Sequence, residues 1–180
     1  YRDGSGLQRL GAGTSGQLLK TQGTGANPVW ATVAGGAFGQ VVYAENSTNY
    51  QNTNQTNYVR ATNTKIDITP SATGKEILVV FNKALRFSHT DSGFEHRIIR
   101  IVGGTETVIR QTTSVYEYFH ISGNGSWNKY DRSTSFIKDA PNTTSQVTYT
   151  LEFKNPHRTD VVELNPSGNH QTSMIALEIN

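Results

Sequence analysis

Apolar and polar residues alternate over several short stretches of the chain, most clearly in Val147-Thr148-Tyr149-Thr150-Leu151-Glu152-Phe153-Lys154. Successive side chains of a strand point to opposite faces, so Val147, Tyr149, Leu151 and Phe153 are expected to pack while the polar set faces solvent. Thr64 to Thr69 alternates in the same way and stops at Pro70, which cannot donate to a strand ladder. Ser173 to Asn180 places Ile175, Leu177 and Ile179 on one face, the pattern of a terminal strand tied into a sheet.

Other stretches carry the same message with less regularity. Gly39 to Glu45 reads as a strand, and the polar tract from Glu45 to Asn57 as a loop or a weak sheet edge. In Lys75 to Phe81, the residues Ile77, Leu78, Phe81 and Leu85 would also fit one face of a helix. Clustered β-branched residues and the turn signals of Pro70 to Gly74 favour a strand. Phe94 to Val102 and Thr105 to Gln111 flank Gly103-Gly104, a tight hairpin, because glycine accepts positive φ. Eight or so strands and no long helix predict an all-β fold, a two-sheet sandwich with jelly-roll topology over residues 38–180.

Residues 1–37 differ. Glycine is dense there, apolar residues are isolated, and no period persists long enough to build a core face. The segment reads as an extended arm that cannot stay folded alone.

Composition sharpens this division. Charged residues make up 17% of the chain, against the ~25% usual for globular proteins, so the head is built from Thr, Asn, Ser and Gly rather than helix formers. The net charge is +2 and the basic residues are scattered, which argues against nucleic acid as a partner. The absence of cysteine excludes disulfides and thiolate chemistry. No run approaches the ~20 apolar residues of a membrane span, and the first residues lack the layout of a signal peptide, so membrane insertion is not expected.

Candidate chemistry is sparse. Gly11-Ala12-Gly13-Thr14-Ser15-Gly16 matches a dinucleotide-binding pattern, but it lacks the preceding strand and following helix that phosphate binding needs. His89, His96, His120, His157 and His170 show no compact ligand spacing, and the dense group His89, Asp91, Glu95 and His96 reads as a solvated hairpin end. Asp131, Asp139, Asp160 and Glu163 could in principle serve hydrolysis, but nothing fixes two of them at a catalytic separation. No catalytic residue, cofactor or metal is therefore expected. The stretch Tyr116 to Tyr130 gathers aromatic residues about a glycine-rich turn. Tyr116, Tyr118 and Phe119 are expected to fill core, leaving Trp127, Asn128, Lys129 and Tyr130 as candidates to stack on sugars and hydrogen-bond their hydroxyls.

The segment Leu10 to Trp30, with Gly16-Gln17-Leu18-Leu19, Gly23-Thr24-Gly25 and Pro28-Val29-Trp30 in order, resembles a linker element recurrent in bacteriophage tail fibres. The head resembles a module of marine and cyanobacterial phage structural proteins in Ile68 to Thr73, in Asp139 to Ser145 with Tyr149, and in Ser173 to Ile179. It departs from that pattern at Phe136-Ile137-Lys138-Asp139-Ala140-Pro141, where charge is inserted before the turn. The resemblance implies a homotrimer whose arms pack through Leu18, Leu19 and Trp30, with Trp30 near the shared interior. It also implies a place in the virion, as a tail or capsid appendage joined to other virion proteins through the arm. A tail fibre or spike module binding a host surface glycan or protein is the leading expectation. The alternatives are a capsid-mounted fibre or decoration protein and a polysaccharide-degrading spike.

Overall fold

The structure is a computed structural model that describes residues 1–32, 38–53, 56–89, 92–112, 118–119, 126–156, 160–168 and 170–179. The chain divides into two units, Tyr1–Gly36 and Ala37–Asn180.

The first unit forms two short hairpins where the sequence predicts an extended segment. Strand β1 (Arg2–Asp3) pairs with β2 (Gly6–Leu7), and β3 (Gln17–Lys20) pairs with β4 (Val29–Thr32). The second hairpin has a local anchor that alternation could not reveal. Gln17 accepts the Thr14 amide on its side chain at 2.9 Å, and its own amide donates to the Thr14 carbonyl at 3.1 Å. The Trp30 indole donates to the Gly11 carbonyl at 2.6 Å and lies against Gly13, where a Cβ would sit 2.6 Å from the ring. Only glycine fits beneath that ring.

The second unit is built from twelve strands among the described residues. They are β5 (Phe38–Asn46), β6 (Tyr50–Asn52), β7 (Val59–Ile68), β8 (Glu76–His89), β9 (Ser92–Gly93), β10 (Glu95–Val102), β11 (Thr105–Gln111), β12 (Tyr118–Phe119), β13 (Ser126–Asp139), β14 (Val147–Lys154), β15 (Val162–Leu164) and β16 (Thr172–Ile179). A single 3-10 turn, Pro166–Gly168, precedes β16. One sheet has the order β5-β16-β8, continued by β15-β6, with β13 on the other side of β8; the second has the order β11-β10-β14-β7. The eight long strands are divided between the two sheets in the order of a jelly roll, two Greek keys wound together. The polar tract after β5 contributes β6, a three-residue strand at a sheet edge.

Both predicted strands about Gly103-Gly104 form, with Val102 opposite Thr105 and φ of 56° and 83° at the two glycines. The stretch with two possible readings is the 14-residue strand β8, in which Ile77, Val79, Phe81, Leu85 and Phe87 face inward. They meet Ile66, Ile98, Val147, Tyr149, Leu151 and Phe153 from the opposing sheet, all essentially without solvent contact. Burial of these side chains contributes roughly 1.5–3 kcal/mol each and is what joins the sheets.

Two faces differ from the simple pattern. The polar side of β14 is covered, not solvated: Thr150 and Glu152 are buried. Glu152 accepts Arg60 Nε at 2.8 Å and Arg97 Nε at 2.6 Å, and Arg60 reaches on to Glu106 at 2.7 Å, so charge-paired side chains roof that face. In β16 the buried residues are Thr172, Met174, Ala176 and Glu178, whereas Ile175, Leu177 and Ile179 turn to the outer side of the sheet. There they join cross-strand rows. Val41, Leu177 and Leu78 form one, and Tyr43, Ile175, Val80 and Phe136 form the next.

Glu178 explains why an acid sits in an inward register. Its carboxylate accepts the Ser71 amide at 2.6 Å and the Ser71 hydroxyl, which ties the turn after β7 to the last strand. These hydrogen bonds hold the Glu178 carboxyl below its ordinary value of 4.5. A group depressed in the folded state contributes stability above its unfolded value and loses it as pH falls through the folded one. The head is therefore expected to lose stability as pH drops below about 4.5, and Glu178→Gln to be less stable near neutrality with a shallower acid slope. Melting temperature followed across that range checks both; parallel acid slopes for the two proteins would count against it.

Candidate functional site

The candidate surface residues fall on one strand. Residues 126–139 form β13, longer than the turn-centred reading of this stretch anticipates. Trp127 and Asn128 fall within its span, but their side chains lie outside the described residues, as do Tyr116 and His120. Lys129 stands opposite Phe87 and is half-buried, and Tyr130 stands opposite Arg86 and is exposed.

Tyr130 has a partner that sequence reasoning missed. The His170 ring stacks on it at 5.1 Å between centroids, with 17° between the planes. The sequence weighed His170 only as a metal ligand, and a separation of forty positions gave no signal that it meets Tyr130. His170 Nδ1 lies 3.0 Å from the Pro166 carbonyl, which fixes the ring. Beside this pair, Arg132 donates to the Gln171 carbonyl at 3.4 Å.

Behind Tyr130, Arg86 and Glu163 make a two-point ion pair. Arg86 Nε donates to Glu163 at 2.8 Å, and its terminal nitrogen donates to the other carboxylate oxygen. Gln51 Nε2 and Asn49 Nδ2 also donate to that carboxylate, at 2.8 and 3.3 Å. The hydrogen bond to Glu163 raises the Arg86 guanidinium above its ordinary value. A flat aromatic pair beside fixed donors and acceptors suits an apolar sugar face or a protein side chain.

The other sequence candidates are drawn into structure. Glu95 and His96 are buried, so the group with His89 is no solvated hairpin end; Asp91 lies outside the described residues. His96 Nε2 lies 2.9 Å from Ser135 Oγ, Lys83 donates to that hydroxyl at 2.8 Å, and Thr112 Oγ1 lies 3.1 Å from His96 Nδ1. A serine, a histidine and a lysine in contact could suggest a nucleophile and its base. Lys83 and His96 are fully buried between the sheets and Ser135 nearly so, which makes the cluster a cross-sheet tie instead. Among the carboxylates, Asp139 accepts Arg100 at 2.9 Å and the Tyr149 hydroxyl at 2.8 Å, and Asp131 accepts the Arg132 amide at 2.8 Å. Among the described residues, no group of three or more His, Asp or Glu side chains is placed to hold a metal.

In the first unit, Leu18 and Leu19 are 62% and 57% exposed and Trp30 is 39% exposed. Leu19 stands opposite Trp30, so the hairpin presents an apolar pair while Trp30 also rests on its own Gly13. The glycine-rich pattern leads into strand β3, not a helix.

No family model and no curated protein matches this chain. Among solved structures, the VP2 subviral particle of infectious bursal disease virus aligns at 10% identity and a TM-score of 0.41, covering 91% of this chain and 42% of the other. T=1 particles derived from that virus align at 12% identity and a TM-score of 0.40, covering 92% and 41%. Dimeric latent PorU from Porphyromonas gingivalis aligns at 12% identity and a TM-score of 0.38, covering 82% of this chain and 14% of the other. This chain thus spans less than half the length of each. What defines the class here is its own strand order: an all-β sandwich preceded by a short glycine-rich unit.

Proposed function

We propose that this chain is a structural protein of a bacteriophage particle, a trimeric tail fibre or spike module that attaches to a host surface. The observation that carries the reading is the ordered element Gly16-Gln17-Leu18-Leu19 through Pro28-Val29-Trp30, joined to a head made of strands. That element resembles the linker between modules of phage fibres. The arm joins the chain to other virion proteins, and the head meets a host glycan or protein without catalysis. The Tyr130–His170 stack, flanked by Arg86 and Glu163, is the contact surface. Three copies on one stalk raise effective concentration, so that a weak single contact suffices.

Purified full chain is expected to bind susceptible host cells above the level seen on resistant ones, and Tyr130→Ala to weaken that binding by roughly tenfold, as loss of an exposed aromatic anchor does. Equal background binding to both cell types would overturn the attachment reading.

A further inference from the structure

The two outer faces of the sandwich differ in chemistry. The outer side of the β11-β10-β14-β7 sheet carries the Arg60, Arg97, Glu106 and Glu152 ladder. The outer side of β5-β16-β8-β13 carries instead the two apolar rows described above, with Phe38 opposite Ile179 beside them. No described side chain of the head roofs these rows: Phe38, Val41, Tyr43 and Phe136 are 53%, 61%, 58% and 65% exposed.

The patch stands at the upper end of what a monomer exposes. At on the order of 100 Å² for each of the four most exposed side chains, and less for the half-buried ones between them, the patch reaches about 600 Å². The largest apolar patch of an ordinary monomer is ~300–600 Å², and one side of a standard interface is ~800 Å². Its charges suggest the occupant. Glu76, opposite Ile179 at one end of the patch, is paired with Lys138 at 2.9 Å; beyond that pair the β5 margin carries exposed Glu45 and the β13 margin exposed Arg132. Opposite margins of one face are thus complementary to each other. Both margins are also sheet edges among the described residues, β5 pairing only with β16 and β13 only with β8.

We infer that the outer face of β5-β16-β8-β13 is where the head packs against a second copy of this chain. One copy's β5 margin meets the next copy's β13 margin, with Tyr43 and Phe136 at the centre of the contact and Glu45 facing Arg132. Repeated around an axis, such a head-to-tail contact closes into a ring. The inference rests on the trimeric reading above and adds the surface that would hold the three heads together.

The test is the mass of the full chain by sedimentation equilibrium, for wild type and for Phe136→Glu, Tyr43→Asp and Val108→Glu. Phe136 and Tyr43 are exposed, so these variants are expected to keep the far-ultraviolet spectrum of the wild type. Val108 is an exposed apolar residue on β11, in the other sheet, and serves as the control. The expected result is a wild-type oligomer of three chains, at least a tenfold weaker association for Phe136→Glu and Tyr43→Asp, and no change for Val108→Glu. An oligomer that all three variants preserve would overturn the face and leave trimerisation to the arm. A wild-type monomer at micromolar concentration would overturn both the face and the trimeric reading. Cell binding is scored separately, so a trimer that binds no host overturns attachment alone.

Discussion

Phe153→Ala is expected to lower the unfolding free energy of the head by about 3–5 kcal/mol, the usual cost of emptying a buried aromatic site. Phe153 has no solvent exposure and stacks on Phe94 at 5.0 Å between centroids, with 18° between the rings. Its neighbours belong to paired strands, Val59 on β7 and His96 on β10, whose backbones are held by ladders on both sides of β14. The site therefore cannot collapse to fill the void. A domain of this size has only ~5–15 kcal/mol to lose, so the variant stands near the threshold of folding. Urea unfolding with the slope held constant measures the change; a loss under about 1 kcal/mol would mean that Phe153 is not a core residue.

The second large effect concerns a charge. Glu163→Ala is expected to cost about 3 kcal/mol, because it leaves Arg86 held by packing without its carboxylate. The Glu163 side chain is 4% exposed and that of Arg86 is 21% exposed, so partial rehydration of the guanidinium keeps the loss at the lower end of the range. Gln51 and Asn49 lose an acceptor as well, so the backbone ladder between β15 and β6 loses the side-chain tie beside it. Glu163→Gln keeps one acceptor oxygen and should recover part of the loss. Equal stability of the alanine and glutamine variants would argue against the hydrogen-bond geometry described here.

Strand β14 was readable because its two faces differ in kind: Val147, Tyr149, Leu151 and Phe153 leave no choice of which side meets the core between the sheets. The hairpin at Gly103-Gly104 was readable because two adjacent glycines suit two positive φ values. In β16, Met174 and Ala176 lie on one face and Ile175, Leu177 and Ile179 on the other, and alternation cannot choose between two apolar faces. The more apolar of the two turned outward, onto the face proposed above as the contact between copies. His96 was misplaced for a different reason. It follows a polar run, and only the opposing sheet supplies the Lys83 and Ser135 groups that make its burial tolerable. The Tyr130–His170 stack depends on the turn that leads the chain into β16, on the far side of β8 from β13, and no local pattern encodes such a meeting.

The place of β16 also governs how the head can form. It lies between β5 and β8, the first of the long head strands and one from the middle, and pairs with both. Until the eight residues of that strand are available, β5 has no sheet partner among the described residues and the stretch of β8 from Glu76 to Asn82 is open on one side. Closure of the sheet thus waits on contacts across nearly the whole length of the domain, the circumstance that slows folding of strand-rich proteins. The head should complete its fold only once β16 has been made, and a chain truncated before Thr172 should accumulate as aggregate.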